Sequence, residues 1–364
     1  NELLKTCYQL SLVYPTLHKA LLNQLNRLPF EPGYFRGIRA IYKAAEFRLD
    51  APLFALLARR IETTKAFFRN EYDYAWIPGI GNFKPSKELK KPDSKLAYSN
   101  RTRDYLRKRS WRSLKRLGSC GDSRYVEMAT EMLLAIRDEH GCSPRRSEVY
   151  RWENTGNRWS RELISISLFD HFAGFISLNH ILFEHSDTYR PIPSGRAWLK
   201  TEVTDRHQRT ECFPELWDQQ PAKALRLLLE SRCAPVQTFA GKVLVSLPEY
   251  CQGIAIEDLS LLLCSPYSPT CELALQLVKE RLQNEAISPD LLLALLRSTL
   301  AAARAFGISQ LQQFVNLHPH SVDTNDVEWF AALLLIQHPD VQQSVLQHLY
   351  KQTLSNDRQS LLLN

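Results

Sequence analysis

Four stretches decide the fold: LRLLLESRCAPVQTFAGKVL at residues 225–244, LSLLLCSPYSPTCELALQLV at 259–278, LLALLRSTLAAARAFGISQL at 292–311 and ALLLIQHPDVQQSVLQHLY at 332–350. In each, an apolar helix ends, near Leu229, Leu263, Leu296 and Leu334 in turn. Seven residues later a second helix opens, at Val236, Thr270, Ala303 and Val341. Successive openings lie 34, 33 and 38 residues apart. A helix pair of this length cannot bury its apolar side alone, so neighbouring pairs must stack on one another. No strand pattern separates the pairs.

The period and the absence of strands predict an all-α, HEAT-like α-solenoid, a right-handed superhelix of antiparallel helix pairs with irregular insertions. Residues 1–76 read as N-terminal helical repeats. Within them, FRGIRAIYKAAEFR at 35–48 is followed by Asp50-Ala51-Pro52, an N-cap and first-turn proline that open the next helix. Residues 77–100 lose periodicity among prolines and lysines and read as a surface loop. Residues 101–185 read as central helical repeats. They contain a basic helix at 101–117 that stops at Gly118, with Asp122 as the next cap. A polar connection follows at 139–158, and a long buried helix at 159–185. Residues 186–213 form an irregular connection with room for extended structure, and 214–364 hold the C-terminal repeats. The chain opens on Asn1 and stops at SLLLN inside a helical pattern, as expected for a piece of a longer polypeptide.

Composition limits the classes of function. The eight cysteines are scattered without a CxxC pair, several of them beside Leu or Val in helical pattern. That favours buried thiols in a reducing, cytoplasmic setting over a disulfide framework. The apolar run at 163–183 is long enough to span a bilayer but carries Asp170, His171, Asn179 and His180. Those side chains are costly in lipid, so no membrane association is expected.

The net charge of +7 is concentrated. Residues 84–117 hold 13 Lys/Arg against three acids, Glu88, Asp93 and Asp104. On a helical projection Arg101, Lys108, Arg109, Arg112, Lys115 and Arg116 share one arc, opposite Leu106, Trp111, Leu114 and Leu117. With Lys84, Lys87, Lys90, Lys91 and Lys95 before them, they form the candidate contact surface for DNA, RNA or an acidic protein partner. Arg103 and Arg107 project into the apolar arc. They call for structural ion pairs, with Asp104, Asp122, Asp138 or Glu127 as candidate partners.

No cofactor, metal site or catalytic residue is expected. His180 and Glu184 are four apart on one helix, but His171 falls on the opposite side of it, and there is no HExxH. The His318-Pro319-His320 loop offers adventitious metal affinity only. Gly79-Ile80-Gly81 lacks the rest of a dinucleotide loop, and pairing Cys120 or Cys142 with His140 rests on coincidence of composition. Tyr150, Arg151, Trp152 and Trp159 could stack bases; the plainer reading plugs them into a junction between helical halves.

Three blocks, KAAEFRLDAPLFALLARRIE at 43–62, TRDYLRKRSWRSLKRLG at 102–118 and FPELWDQQPAKALRLLLESRCAPVQTFAGKVL at 213–244, resemble large bacterial HEAT-repeat proteins, many of which carry a WGR module elsewhere. The resemblance spans roughly residues 35–350 and implies a nucleic-acid-related context. There is no WGR signature in this chain, and the resemblance brings no catalytic motif. The function expected is a non-enzymatic scaffold within a larger bacterial protein, bound to a protein partner, to other domains of the parent chain, or to nucleic acid. The alternatives are a DNA-processing enzyme of the HEAT-like glycosylase type and a structural spacer.

Overall fold

The computed structural model describes residues 2–69, 74–77, 81–154, 156, 159–206, 208–317, 329 and 331–351. The chain is mostly helical, with two small sheets, and divides into two compact units. The first comprises Asn1–Lys223 and Ser231–Phe239, the second Ala224–Glu230 and Ala240–Asn364.

The first unit opens with α1 (Glu2–Ser11), α2 (Pro15–Arg27), α3 (Pro32–Arg48) and α4 (Ala51–Thr63). Pro15, Pro32 and Pro52 sit in first turns, where the missing N–H costs nothing. The α3–α4 turn is made by Leu49 in the left-handed region, after which the Asp50 carboxylate accepts from the Leu53 N–H. Helix α4 buries Leu53, Phe54, Leu57, Ala58 and Ile61 and packs against α6 (Asn100–Ser119) and α7 (Arg124–Leu134).

Between α4 and α6 the expected loop is largely ordered. Strand β1 (Ala75–Ile77) pairs antiparallel with β2 (Gly81–Phe83), and α5 (Ser86–Leu89) follows. Asp93 then accepts from Arg39 at 2.6 Å and from Lys43, tying the segment to α3. Tyr98 is fully buried, its hydroxyl donating to the Ile61 and Thr64 carbonyls. Burial alone would raise the Asp93 carboxyl, but the two cations outweigh it and hold its pKa below the usual value. A folded pKa below the unfolded one gives a clamp that is complete above the unfolded value and lost as pH falls through the folded one. Asp93→Asn is therefore expected to speed tryptic cleavage at Lys87, Lys90 and Lys95 several-fold at neutral pH. An unchanged cleavage rate would remove Asp93 as the tether.

The all-α expectation fails between α7 and Phe213. The long helix expected at 159–185 is a strand, a turn and a short helix: β4 (Trp159–Phe169), then α8 (Ile176–Phe183). The polar connection is strand β3 (Arg145–Asn154), paired antiparallel with β4 from Arg145↔Phe169 to Asn154↔Trp159 with a bulge near Val149/Tyr150. The cause is visible in ISISLF at 164–169, whose apolar–serine alternation has period two rather than 3.6. Strands β5 (Tyr189–Pro191) and β6 (Trp198–Lys200) complete a sheet of order β3-β4-β6-β5. These two lie in the segment read as irregular with extended pieces. Gly118 does not stop α6, which runs to Ser119; it is buried against the Phe213 ring. Asp122 bonds the Arg124 N–H just ahead of α7. No described helix is long and apolar enough to cross a membrane.

Helices α9 (Pro214–Asp218), α10 (Pro221–Glu230) and α11 (Ala234–Val245) lead into the second unit. That unit continues with α12 (Pro248–Gln252), α13 (Ile256–Leu263), α14 (Ser268–Arg281), α15 (Pro289–Arg297), α16 (Ala301–Leu317) and a helix over Pro339–Lys351. Helix α13 packs on α14 and α15, α14 and α15 each pack on α16, and α16 packs on the helix over Pro339–Lys351. Leu292, Leu296, Leu311, Leu333, Ile336, Val341 and Val345 form one buried cluster along this ladder.

Candidate functional site

Helix α6 organises the candidate site. Ser99 caps it by accepting from the Thr102 N–H, and the Thr102 hydroxyl reaches the Lys91 carbonyl, which sets the lysine segment against the helix start. Its apolar side buries Leu106, Trp111 and Leu114. Arg107, on that side, is 5% exposed and pairs with Glu62 of α4, itself 7% exposed. Arg107 also donates to the Gly174 and Arg196 carbonyls and, at 3.4 Å, to Asp104. Arg103 donates to the Ile61 and Glu62 carbonyls. Of the candidate partners only Asp104 serves. Asp122 pairs with Arg124, the Asp138 carboxylate accepts from the Ala234 N–H at 2.8 Å, and Glu127 is exposed.

The three acids of the basic stretch are all engaged. Glu88 takes Lys91 and the Ser94 hydroxyl, each at 2.6 Å. Asp93 takes Arg39 and Lys43, and Asp104 takes Arg107 and, at 2.8 Å, Arg196. The predicted contact residues then separate. Arg109 leaves the set: Glu46 holds it at 2.6 Å and Tyr105 adds a second bond. Lys91 is neutralised by Glu88, and Lys108 is anchored on the Ser194 carbonyl at 2.7 Å while keeping its charge. Lys115 lies 3.9 Å from Glu184. Lys84, Lys87, Lys90, Lys95, Arg101, Arg112 and Arg116 are exposed and make no ion pair among the described residues. From Arg101 to Arg116 the helix carries its cations along about 22 Å.

Behind this ridge lies a cavity of about 480 Å³, lined by Glu62, Arg103, Arg107, Arg145, Asp170, His171 and Arg196 among others. Burial raises the Glu62 carboxyl, opposed by Arg107. Both its oxygens are already taken, Oε2 by Arg107 and Oε1 by the Ile176 N–H at 3.0 Å. Glu62 therefore acts as a strut between α4, α6 and the start of α8. His180 donates from Nδ1 to the Glu184 carboxylate at 2.5 Å and stacks on Trp111, ring centroids 4.6 Å apart, with Trp198 edge-on to it. Among the described residues no group of His, Cys, Asp and Glu could hold a metal ion. Gly79, Ile80, His318 and His320 lie outside them. Burial pushes the Cys212 and Cys233 thiols up to about 12, which disfavours the thiolate a nucleophile needs.

Two parts of the site escaped the sequence reading. One is Glu62 as the partner of Arg107, 45 residues away. The other is the β3–β4 hairpin, whose Arg145 and Phe169 rim the cavity at its foot. Its aromatics plug no junction: Trp152 is 61% and Trp159 64% exposed. Comparison with protein-family models, with curated proteins and with solved structures returns no match.

Proposed function

We propose that this chain is a HEAT-like helical scaffold, without catalytic chemistry of its own, that docks an anionic macromolecule along α6. One observation carries the reading. Every acid of the basic stretch is spent on an internal partner, while seven of its cations face solvent with no acidic partner among the described residues. Such a ridge gives a sequence-independent, salt-sensitive affinity for phosphates or clustered carboxylates. The scaffold part is supported by the repeat: α11, α14, α16 and the helix over Pro339–Lys351 begin at Ala234, Ser268, Ala301 and Pro339, spaced 34, 33 and 38 residues. Helices α14, α16 and the helix over Pro339–Lys351 pack on near neighbours in the chain, as stacked helix pairs do. The sequence resemblance to WGR-associated bacterial HEAT-repeat proteins belongs to the same proposal. An enzymatic reading draws on the cavity, but its one deeply buried carboxylate is fully bonded to Arg107 and Ile176.

The test is fluorescence anisotropy with labelled duplex DNA at low salt. Arg101→Ala/Arg112→Ala/Arg116→Ala should weaken binding by about a hundredfold, since each phosphate contact contributes on the order of 1 kcal/mol. Equal affinity of variant and wild type would place the contact elsewhere.

A further inference from the structure

The β3–β4 hairpin carries a second surface, in the same unit as α6. Strand alternation sorts its residues onto two faces. One holds Ser147, Ser165, Ser167, Arg151 and Glu153. The other holds Tyr150, Trp152, Trp159, Ile166 and Arg161. The register sets Tyr150 opposite Leu163, Trp152 opposite Arg161 and Asn154 opposite Trp159. Three aromatic side chains thus occupy three successive rows of one face, about 7 Å apart. The Arg161 guanidinium lies over the Tyr150 ring, 3.3 Å from its centroid, and 6.0 Å from the Trp152 ring. This face is open: Leu163, opposite Tyr150, is 43% and Ile166 45% exposed, besides the two tryptophans.

An apolar face of this kind marks a contact site, and size, spacing and charge decide its occupant. Ten residues by two strands is about 34 Å by 10 Å, about 350 Å², well short of the ~800 Å² per partner of a stable protein interface. A second copy of the chain is therefore a poor occupant, and a linear ligand a better one. A row spacing of about 7 Å is twice the 3.4 Å step of a duplex strand, so it suits bases that are unstacked and extended. The foot of the hairpin also adjoins the surroundings of α6. Lys108 holds the Ser194 carbonyl, and Ser194, Arg196 and Arg145 line the cavity from which the hairpin rises. Glu148, the acid on this face, is taken by Arg146 at 2.9 Å and by the Tyr150 hydroxyl.

We propose that the hairpin is a stacking platform for single-stranded nucleic acid, with bases on Tyr150, Trp152 and Trp159 and the flanking backbone drawn to the α6 cations. This rests on the polyanion reading of α6 and adds the partner. Aromatic platforms interleaved with arginine bind single strands with little sequence preference.

The experiment compares three labelled probes of equal length: oligothymidine, an abasic oligomer with the same phosphates, and duplex DNA. Wild type should bind oligothymidine at least about tenfold more tightly than the abasic oligomer, the equivalent of about 1.4 kcal/mol of stacking. Trp152→Ala/Trp159→Ala should abolish that preference, leave duplex binding within about twofold, and leave the thermal unfolding midpoint unchanged because both rings face solvent. Equal affinity for oligothymidine and the abasic oligomer would overturn the platform and leave the α6 reading standing. Failure of all three probes to bind would overturn both. Self-association lost in the double variant, without a base preference in wild type, would assign the face to a second copy instead and likewise overturn the platform.

Discussion

Replacing Glu62 by alanine is expected to lower the stability of the first unit by about 3–5 kcal/mol, the cost of leaving a buried charge without its partner. Arg107 would keep the Gly174 and Arg196 carbonyls and the longer Asp104 contact, but lose the charge that neutralises it at 5% exposure. The Ile176 N–H at the head of α8 would lose its acceptor as well. Removing both charges together tests the mechanism: Glu62→Leu/Arg107→Met should be far less damaging than either single change, because an apolar pair requires no desolvation of ions. Urea unfolding followed by circular dichroism measures this. A loss below about 1 kcal/mol for Glu62→Ala would mean that Asp104 and the carbonyls suffice for Arg107.

The second large effect is expected at Gly118. A Cβ built there would fall 2.2 Å from two carbons of the Phe213 ring. Phe213 has little freedom to retreat: its backbone is in the left-handed region at φ 55°, and its ring packs edge-on against Tyr125 with centroids 5.1 Å apart. Alanine would gain about 1 kcal/mol of helix propensity over glycine, which opposes the collision. The net loss for Gly118→Ala is expected at about 1–3 kcal/mol, as for other overpacked cores. Phe213→Ala in the same chain should recover part of it, a non-additivity that marks direct contact. Equal losses in the two backgrounds would mean that the ring does not cause the effect.

The sequence was most legible where burial repeats. The four helices expected to open at Val236, Thr270, Ala303 and Val341 each begin two residues earlier, because Leu and Val at helical spacing report the side that must be covered. The hairpin was not legible in the same way. Both faces of β3 and β4 are largely exposed, so burial imposed no polarity that a reading for helices would have found inconsistent. ISISLF opposite RRSEVYRWEN carried the signal, in its period of two. Local charge counting found the cations of α6 but not their pairing. Arg109 and Arg107 are answered by Glu46 and Glu62, from helices 63 and 45 residues earlier in sequence, a proximity that only the packing of α3 and α4 around α6 creates.

Binding of a polyanion through its phosphates by the exposed cations of α6 is reported most directly by the salt dependence of affinity. Duplex DNA binding by wild type and by Arg101→Ala/Arg112→Ala/Arg116→Ala would be measured across a salt series. Log affinity is expected to fall steeply with log salt, and the variant's slope to be shallower by about 2–3, close to one per phosphate contact removed. Identical slopes for the two proteins, or an affinity insensitive to salt, would contradict phosphate binding by these cations.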